Sequence, residues 1–173
     1  TGLDDQPRGI LLWRAILQWF GGIGIIVTAI AILPVLRVGG MQLFQLESSD
    51  VSGKFVPRIS EVSTQIGMIY LFISVACAAT YMLCGMNAFD AIAHAMTTVA
   101  AGGYSTHDAS FGAFYEPPAV PAAIFFMIIA SLPFSLLALA LIHGRARLLL
   151  SDALPRLFIG LIAGFTLTVF ILR

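Results

Sequence analysis

The chain has 173 residues, of which 59% are hydrophobic and 10% are charged, and nine lysines and arginines balance nine acidic residues. Soluble domains carry roughly 25% charged residues, so this composition excludes a soluble enzyme, a disordered tail and a basic domain that binds nucleic acid. With a mean hydropathy of +0.96, the apolar excess requires lipid as the solvent. The sequence therefore predicts an all-α integral membrane protein that is not an enzyme.

Four uncharged runs along the chain are the candidate membrane spans: 15–36, 62–88, 117–142 and 157–172. Each of the first three exceeds the roughly 20 residues that cross about 30 Å of hydrocarbon as a helix. The fourth run is shorter, and together with Leu154 and Pro155 it predicts a span of near-minimal length. The sequence therefore predicts four transmembrane helices.

A fifth apolar segment, residues 87–101, is too short to cross the membrane and runs directly into a pair of glycines. Asn87 is a favoured N-cap residue, and Asp90 follows at the position from which an acidic side chain reaches back to the cap. We therefore expect a short helix over 87–99, followed by a turn. Its length fits either a buried core helix or a re-entrant segment.

Basic residues decide between these two alternatives. Six of the nine lie in the loop after the first run and in the loop after the third: Arg37, Lys54, Arg58, Arg145, Arg147 and Arg156. By the positive-inside rule both loops are cytoplasmic. The second and third runs return the chain to the same side, so a further crossing by 87–101 would place the two loops on opposite sides. The short helix is therefore expected to enter and leave by the external face.

The first span carries polar and small residues with alternative roles. Arg14 and Gln18 lie one turn apart near its external end. They face a vestibule, the protein interior or the membrane interface, and interface anchoring is the favoured interpretation. Gly21, Gly22 and Gly24 follow, and small residues of this kind let another helix approach closely.

Residues 99–105, Val-Ala-Ala-Gly-Gly-Tyr-Ser, offer little side-chain chemistry. What they present is backbone carbonyls, and Gly102 and Gly103 tolerate backbone angles that are denied to other residues. Carbonyl oxygens that converge from several loops replace the hydration shell of a dehydrated alkali cation. The negative end of the helix dipole at the C-terminus of 87–99 favours the same ion. The pattern predicts a monovalent cation site, and the alternative is an ordinary helix C-cap with a turn.

Polar residues flank this loop. His94 lies one turn after Asp90, and it is expected to pair with Asp90, to hydrogen-bond polar groups behind the loop, or to pack as an ordinary hydrogen-bonded histidine, which is the favoured interpretation. Ser105, His107 and Asp108 resemble parts of a hydrolase. They are nearly contiguous on an exposed loop, without the rigid elements that orient a base on a nucleophile, and an intramembrane protease is therefore rejected.

The loop over 37–63 combines apolar residues with a polar turn, Glu47-Ser48-Ser49-Asp50. This pattern is typical of a short amphipathic segment at the cytoplasmic membrane interface. Met41, Phe44 and Arg58 are candidate contacts for a soluble partner. The alternative is an interfacial loop without a partner.

Three stretches together resemble one protein family: 18–27 (QWFGGIGIIV), 37–45 (RVGGMQLFQ) and 97–108 (TTVAAGGYSTHD). They are similar to the TrkH membrane subunits of bacterial Trk potassium uptake systems, within the Trk/Ktr/HKT superfamily, over nearly the whole chain. The resemblance implies four non-identical repeats in one polypeptide, each with a helix, a pore loop and a helix, around a single potassium pathway.

On that resemblance the chain is a fragment with the end of repeat 1, all of repeat 2 and the start of repeat 3. Residues 1–36 are the external lead-in and second helix of repeat 1, and 37–63 are a cytoplasmic loop. Residues 64–143 are repeat 2, with its pore helix at 87–99 and its filter at 100–104. Residues 144–153 are a second cytoplasmic loop, and 154–173 are the first helix of repeat 3.

The resemblance also implies the site. Potassium is expected at the backbone carbonyls of Ala100, Ala101, Gly102 and Gly103, and Gly102 corresponds to the glycine that each repeat contributes. Residues that support the filter are Val99, Tyr104, Ser105, His94 and Asp90. The family usually has Thr at position 101 and often Phe at position 104, where this chain has Ala101 and Tyr104. This departure puts the fine ion selectivity of the filter in question.

The resemblance further implies a homodimer in the lipid of the bacterial inner membrane, with chains that cross the membrane several times. It also implies a cytosolic nucleotide-binding regulatory subunit of the TrkA kind as a partner. Potassium is the substrate, carried by symport or through a gated pore, and no bound cofactor is expected. Two alternatives remain at this point, a subunit of a homotetrameric cation channel and a membrane scaffold without a transported ion.

Overall fold

The structure is a computed structural model that describes residues 2–32, 55–114, 118–134, 136–137 and 153–172. These ranges contain five α-helices and a short 3₁₀-helix. In chain order they are α1 (Arg8–Ile32), α2 (Phe55–Leu83), α3 (Ala88–Val99), the 3₁₀-helix (Ser110–Phe114), α4 (Ala119–Ala130) and α5 (Ala153–Leu172). No strand occurs in the described ranges, and the all-helical fold class is confirmed.

The chain divides into two compact units, Thr1–Ser131 and Leu132–Arg173. The first unit holds α1 to α4 and the second holds α5. In the described residues two helical segments are long and apolar enough to cross a membrane, Ser63–Leu83 within α2 and Ala153–Leu172, which is α5. These two segments match two of the four predicted spans.

Helix α2 begins earlier than the sequence indicates. We placed residues up to 63 in a loop, but the helix starts at Phe55, so Arg58 lies in its first turns. Pro57 is compatible with this start, because the first N–H groups of a helix have no intrahelical acceptor. The predicted contacts Met41 and Phe44 lie outside the described residues.

The third apolar run is not one continuous helix, which corrects the predicted span over 117–142. Helix α4 ends at Ala130, and the N–H and hydroxyl of Ser131 both donate to the carbonyl of Met127, at 3.0 and 2.8 Å. Pro133 has no N–H to donate and its ring clashes with the preceding turn of a helix. Helical hydrogen bonding resumes beyond it, where Leu136 N donates to Pro133 O at 2.9 Å.

One face of α2 is buried and the opposite face is apolar and exposed. The buried face consists of Ile66, Ile69, Tyr70, Ile73, Cys77 and Tyr81. The exposed face includes Met68, Leu71, Phe72, Val75 and Met82. The three- to four-residue spacing follows the helical period, and large exposed apolar side chains suit a helix that has lipid on its outer side.

The short helix α3 lies in the centre of the first unit, where it packs against α1, α2 and α4. Most of its side chains are buried: Asp90, Ala91, Ala93, His94, Ala95, Thr97, Thr98 and Val99. The alanines let the neighbouring helices approach closely. The loop that follows α3 exposes residues 101–103, and the chain is buried again at Ser105 and Thr106.

Candidate functional site

The N-terminus of α3 is capped as the sequence predicts. The side-chain oxygen of Asn87 accepts a hydrogen bond from the Asp90 N–H at 3.0 Å. The Asn87 side-chain amide donates to the Asp90 carboxylate at 2.6 Å. Asp90 therefore reaches back to the cap residue, although to its side chain rather than to its backbone N–H. This exchange fixes where the helix starts.

The C-terminus of α3 forms a Schellman cap. Ala101 N donates to Thr98 O at 3.1 Å, and Gly102 N donates to Thr97 O at 2.9 Å. This pattern requires a left-handed residue at the position of Ala101, whose φ is +51°. We expected Gly102 and Gly103 to supply unusual backbone angles, but only Gly103, with φ +70°, is left-handed. The alternative of a helix C-cap thus describes the local geometry correctly.

The carbonyl oxygens of residues 100–103 accept no hydrogen bond from any residue that the structure describes. The carbonyls of Thr97 and Thr98 are occupied by the cap, and that of Tyr104 accepts from the Thr97 hydroxyl at 2.9 Å. The Val99 carbonyl, like those of residues 100–103, accepts no hydrogen bond from the described residues.

His94 supports the loop from behind. It is completely buried, and its Nδ1 lies 2.8 Å from the Asp90 carbonyl oxygen. A carbonyl only accepts, so Nδ1 carries the proton, and Nε2 of the neutral ring accepts from the Ser105 hydroxyl at 2.9 Å. His94 therefore bonds to a polar group behind the loop, and it contacts the backbone of Asp90 rather than its carboxylate.

Sequence reasoning missed three further supporting residues. Thr97 holds the Tyr104 carbonyl, and the Thr98 hydroxyl lies 2.8 Å from the hydroxyl of Tyr81 on α2. All three are buried. Hydroxyls at the last turn of an otherwise apolar short helix are a signal of such contacts, because buried polar groups need partners.

The end of the loop that follows Ser105 is tied to the N-terminal segment. His107 lies between two carboxylates, with Nδ1 2.8 Å from Asp4 Oδ1 and Nε2 3.2 Å from Asp90 Oδ2. The Thr106 hydroxyl also donates to Asp90, at 2.6 Å. Asp108 accepts from the N–H groups of residues 2 and 3 at 2.8 and 3.1 Å. No sequence pattern indicated these contacts, and those with the N-terminal segment join residues about a hundred positions apart.

The pKa values of these groups follow from their partners. Burial raises the pKa of Asp90, but hydrogen bonds from Thr106, His107 and Asn87 outweigh it, and the pKa is lowered. Partial burial lowers the pKa of His107, but the hydrogen bonds and charges of Asp4 and Asp90 outweigh it, and the pKa is raised. Ion pairing between imidazolium and the two carboxylates is therefore favoured.

Helix α1 lies directly behind the loop, which corrects the interpretation of Arg14 and Gln18 as interface anchors. The Arg14 guanidinium lies over the Tyr104 ring, 4.6 Å from its centre. An open cleft of about 460 Å³ is lined by Arg14 and Tyr104 together with Leu17, Gln18, Gly102 and Gly103. The Gln18 side-chain oxygen and the Tyr104 hydroxyl are buried, and neither has a hydrogen-bond partner in the described part of the chain.

The predicted close approach at the glycines of α1 is confirmed at Gly22. A Cβ atom there would lie 2.7 Å from the Tyr70 hydroxyl oxygen on α2 and 3.2 Å from the Ala100 Cβ. Gly21 and Gly24 face open space in the described structure. The structure thus brings Ala100, the other loop residues and the predicted support residues together, with α1 as an additional wall.

The chain matches the model of the TrkH family, a cation transport protein family, over residues 1–172. It is 45% identical over 172 residues to the Trk system potassium uptake protein TrkH of Escherichia coli (strain K12), an alignment that covers 98% of this chain and 35% of that relative. It is 46% identical over 151 residues to the Trk system potassium uptake protein TrkI of Halomonas elongata, covering 87% of this chain and 30% of that relative.

The fold is similar to the crystal structure of the potassium transporter TrkH from Vibrio parahaemolyticus. The TM-score is 0.83 with 38% sequence identity, and the similarity covers 99% of this chain and 34% of that one. The chain therefore spans about a third of the length of these relatives.

Proposed function

The chain belongs to the TrkH family of cation transport proteins, and on that premise we propose that it is a segment of a potassium uptake protein. Its relatives are named as potassium uptake proteins and as a potassium transporter. Because the chain spans about a third of their length, potassium uptake is the activity of the whole protein to which this segment contributes.

The segment's contribution is one quarter of a potassium selectivity filter, formed by the carbonyl oxygens of residues 100–103. The observation that carries this proposal is that these four oxygens accept no hydrogen bond from the described residues, while the carbonyls of Thr97, Thr98 and Tyr104 are occupied. Unpaired backbone groups at membrane depth persist only where protein buries them or a water-filled cavity lies beside them. Carbonyl oxygens are the ligands of potassium filters.

The remaining proposals rest on the family resemblance. Other repeats of the parent chain complete the ring of carbonyls, and Asp90, His94, Val99, Tyr104 and Ser105 support this quarter of it. The protein forms a homodimer that crosses the bacterial inner membrane several times and takes up potassium by symport or through a gated pore. A nucleotide-binding subunit of the TrkA kind docks on the cytoplasmic side, at a surface that includes Met41, Phe44 and Arg58.

The filter is tested in the full-length parent protein, expressed in a strain that depends on it for potassium uptake. A Cβ on Gly102 would collide with the side chain of Gln18, so Gly102→Ala forces that side chain or the loop backbone to move and disturbs the contact between them. We expect rubidium uptake to fall at least about tenfold, which corresponds to ~1.4 kcal/mol of lost ion stabilisation.

Gly112→Ala is the matched control, because Gly112 lies in the same external region and a Cβ there makes only an ordinary contact, 4.0 Å from Ala109. Its uptake is expected to equal that of the unmodified protein. Membrane levels of both variants are measured by immunoblot. Normal uptake by Gly102→Ala at normal membrane levels would refute the filter assignment.

A further inference from the structure

We propose that one face of α1, formed by Arg14, Gln18 and Gly22 and here called the α1 stripe, positions the loop 100–104, and that Gln18 is a residue that determines ion selectivity. The proposal rests on the proposed function of the loop. It assigns to a helix of one repeat the task of holding the filter segment of the next repeat.

The stripe and the loop meet in register. Gly22 contacts Ala100, Gln18 contacts Gly102, and Arg14 stacks on Tyr104. The stripe residues are four apart and the loop residues are two apart. Four residues of α-helix advance about 6 Å, a distance that two residues of non-helical chain, which reach at most roughly 7 Å, can match. Each turn of α1 thus supports every second residue of the loop.

The stripe is rigid because α1 is bonded to α2. The Tyr70 hydroxyl donates to the carbonyl of Trp19 at 2.9 Å, and the Trp19 indole donates to the Ser74 hydroxyl at 2.8 Å. The Tyr70 hydroxyl also fills the space beside Gly22. Residues 19 and 22 lie within about one turn after Gln18, so the backbone that follows Gln18 is held against α2.

Gln18 occupies the space that a Cβ atom on Gly102 would need. The only left-handed residue with a Cβ in this loop is Ala101, and it lies between Ala100 and Gly102, the two residues that the stripe contacts. A strained backbone conformation persists only where its surroundings hold it. Gln18 and Gly22 are therefore placed on the two sides of the strained residue.

This placement connects Gln18 to selectivity. Discrimination between potassium and sodium depends on the size of the carbonyl cage or on the number and field of its oxygens, and either property changes when the backbone at 101–102 can move. Removing the Gln18 side chain frees Gly102 on the side of α1. The loop then adapts to the smaller sodium ion, while the carbonyls themselves remain.

The test measures uptake of rubidium and sodium by the full-length protein reconstituted in proteoliposomes. For Gln18→Ala we expect the rubidium-to-sodium ratio to fall about tenfold, which is ~1.4 kcal/mol of differential stabilisation. Gln18→Met keeps a side chain of similar length. The Gln18 side-chain oxygen has no hydrogen-bond partner among the described residues, so the substitution breaks no such bond. The rubidium-to-sodium ratio of Gln18→Met is therefore expected to stay within about twofold of the original. Gly24→Ala, on the same helix and facing open space, is the control.

A purely structural role for Gln18 would lower the amount of folded protein without changing the ion ratio, so an unchanged ratio in Gln18→Ala overturns the proposal. A ratio that falls equally in Gln18→Met and Gln18→Ala also overturns it, because filling of space would then not be the cause.

A double substitution separates this inference from the filter assignment. Gly102→Ala alone is expected to lower uptake at least about tenfold through its collision with Gln18, and adding Gln18→Ala makes room for the new methyl group. Partial recovery of rubidium uptake in the double variant supports the contact, and no recovery together with an unchanged ratio in Gln18→Ala refutes it. Normal uptake by Gly102→Ala alone would instead refute the proposed function of the loop.

Discussion

Ala101 shows how the loop combines a strained backbone with a plain side chain. Its φ of +51° costs roughly 1–2 kcal/mol for a residue that carries a Cβ. The two hydrogen bonds of the Schellman cap, from Ala101 and Gly102 to the last turn of α3, stabilise this conformation. At the scale of single residues, the loop therefore presents its backbone oxygens, and the groups that pack against the loop limit the size of its side chains.

His107 is the residue from which a pH dependence follows. Its pKa is raised because Asp4 and Asp90 outweigh the effect of partial burial. The ion pairs of His107 with Asp4 and Asp90 are here called the bridge. The bridge stabilises the folded loop fully below the ordinary imidazole pKa of about 6.5, and this stabilisation is lost as the pH rises through the higher pKa of the folded state. We expect the amide protons of residues 2 and 3 in the full-length protein to be better protected from exchange at about pH 6 than at about pH 9, after correction for intrinsic rates.

Asp4→Asn removes one of the two negative charges and is expected to weaken this pH dependence. Asp5→Asn is the matched control, since Asp5 is exposed and makes none of the contacts of the bridge. Equal protection of the two amides at both pH values in the unmodified protein would contradict the prediction.

Among the helices, α3 is short and buried, and it depends on its ends. Isolated helices of this length are marginal in water, so packing against α1, α2 and α4 and the caps at both ends stabilise it. The N-cap pair of Asn87 and Asp90 was readable in the sequence because it is local. The supporting contacts of Thr97 and Thr98 with Tyr104 and Tyr81 were not, since they depend on the fold.

The cap of α3 carries a prediction. Asn87→Ala removes both hydrogen bonds that join Asn87 to Asp90, and loss of an N-cap typically costs about 0.5–2 kcal/mol. We expect a lower apparent melting temperature for the full-length protein in detergent. Asn87→Ser keeps an oxygen that accepts from the backbone and should recover most of the loss. Equal melting temperatures for Asn87→Ala and the unmodified protein would show that the cap is dispensable.

The end of α4 shows where counting apolar residues fails. The third run has no charge, so a hydropathy reading continues the span through Pro133. In the structure, Ser131 closes the helix by bonding back to the carbonyl of Met127. Ser131, followed two residues later by Pro133, was visible in the sequence as a signal of a helix end. Lack of charge, by contrast, carries no information about backbone hydrogen bonds.

At the scale of the whole molecule, the filter that we propose needs carbonyls from more than this one segment. The chain spans about a third of its relatives and contains one loop of the proposed kind. We therefore expect the 173-residue segment, expressed alone in a strain that depends on potassium uptake, to give no rubidium uptake above background, whereas the full-length parent restores it.

The same experiment distinguishes the homotetrameric alternative. If four copies of the segment formed a channel, the segment alone would restore uptake and would migrate as a four-chain assembly after crosslinking. That result would contradict the four-repeat interpretation. A segment that inserts in the membrane, as judged by immunoblot of the membrane fraction, but does not transport supports it.

The sequence by itself determined the properties that depend on local order: the membrane class from composition, the short helix predicted over 87–99 with its Asn87 cap, the glycine-bearing loop and the family. These follow from hydropathy, charge and spacing, which are readable along the chain. Only the tertiary structure decided that Arg14, Gln18 and Gly22 lie behind the loop and that His107 lies between Asp4 and Asp90. Except for the contact of His107 with Asp90, these contacts join residues about 80 to 100 positions apart, and no local pattern encodes which helix face will meet which loop.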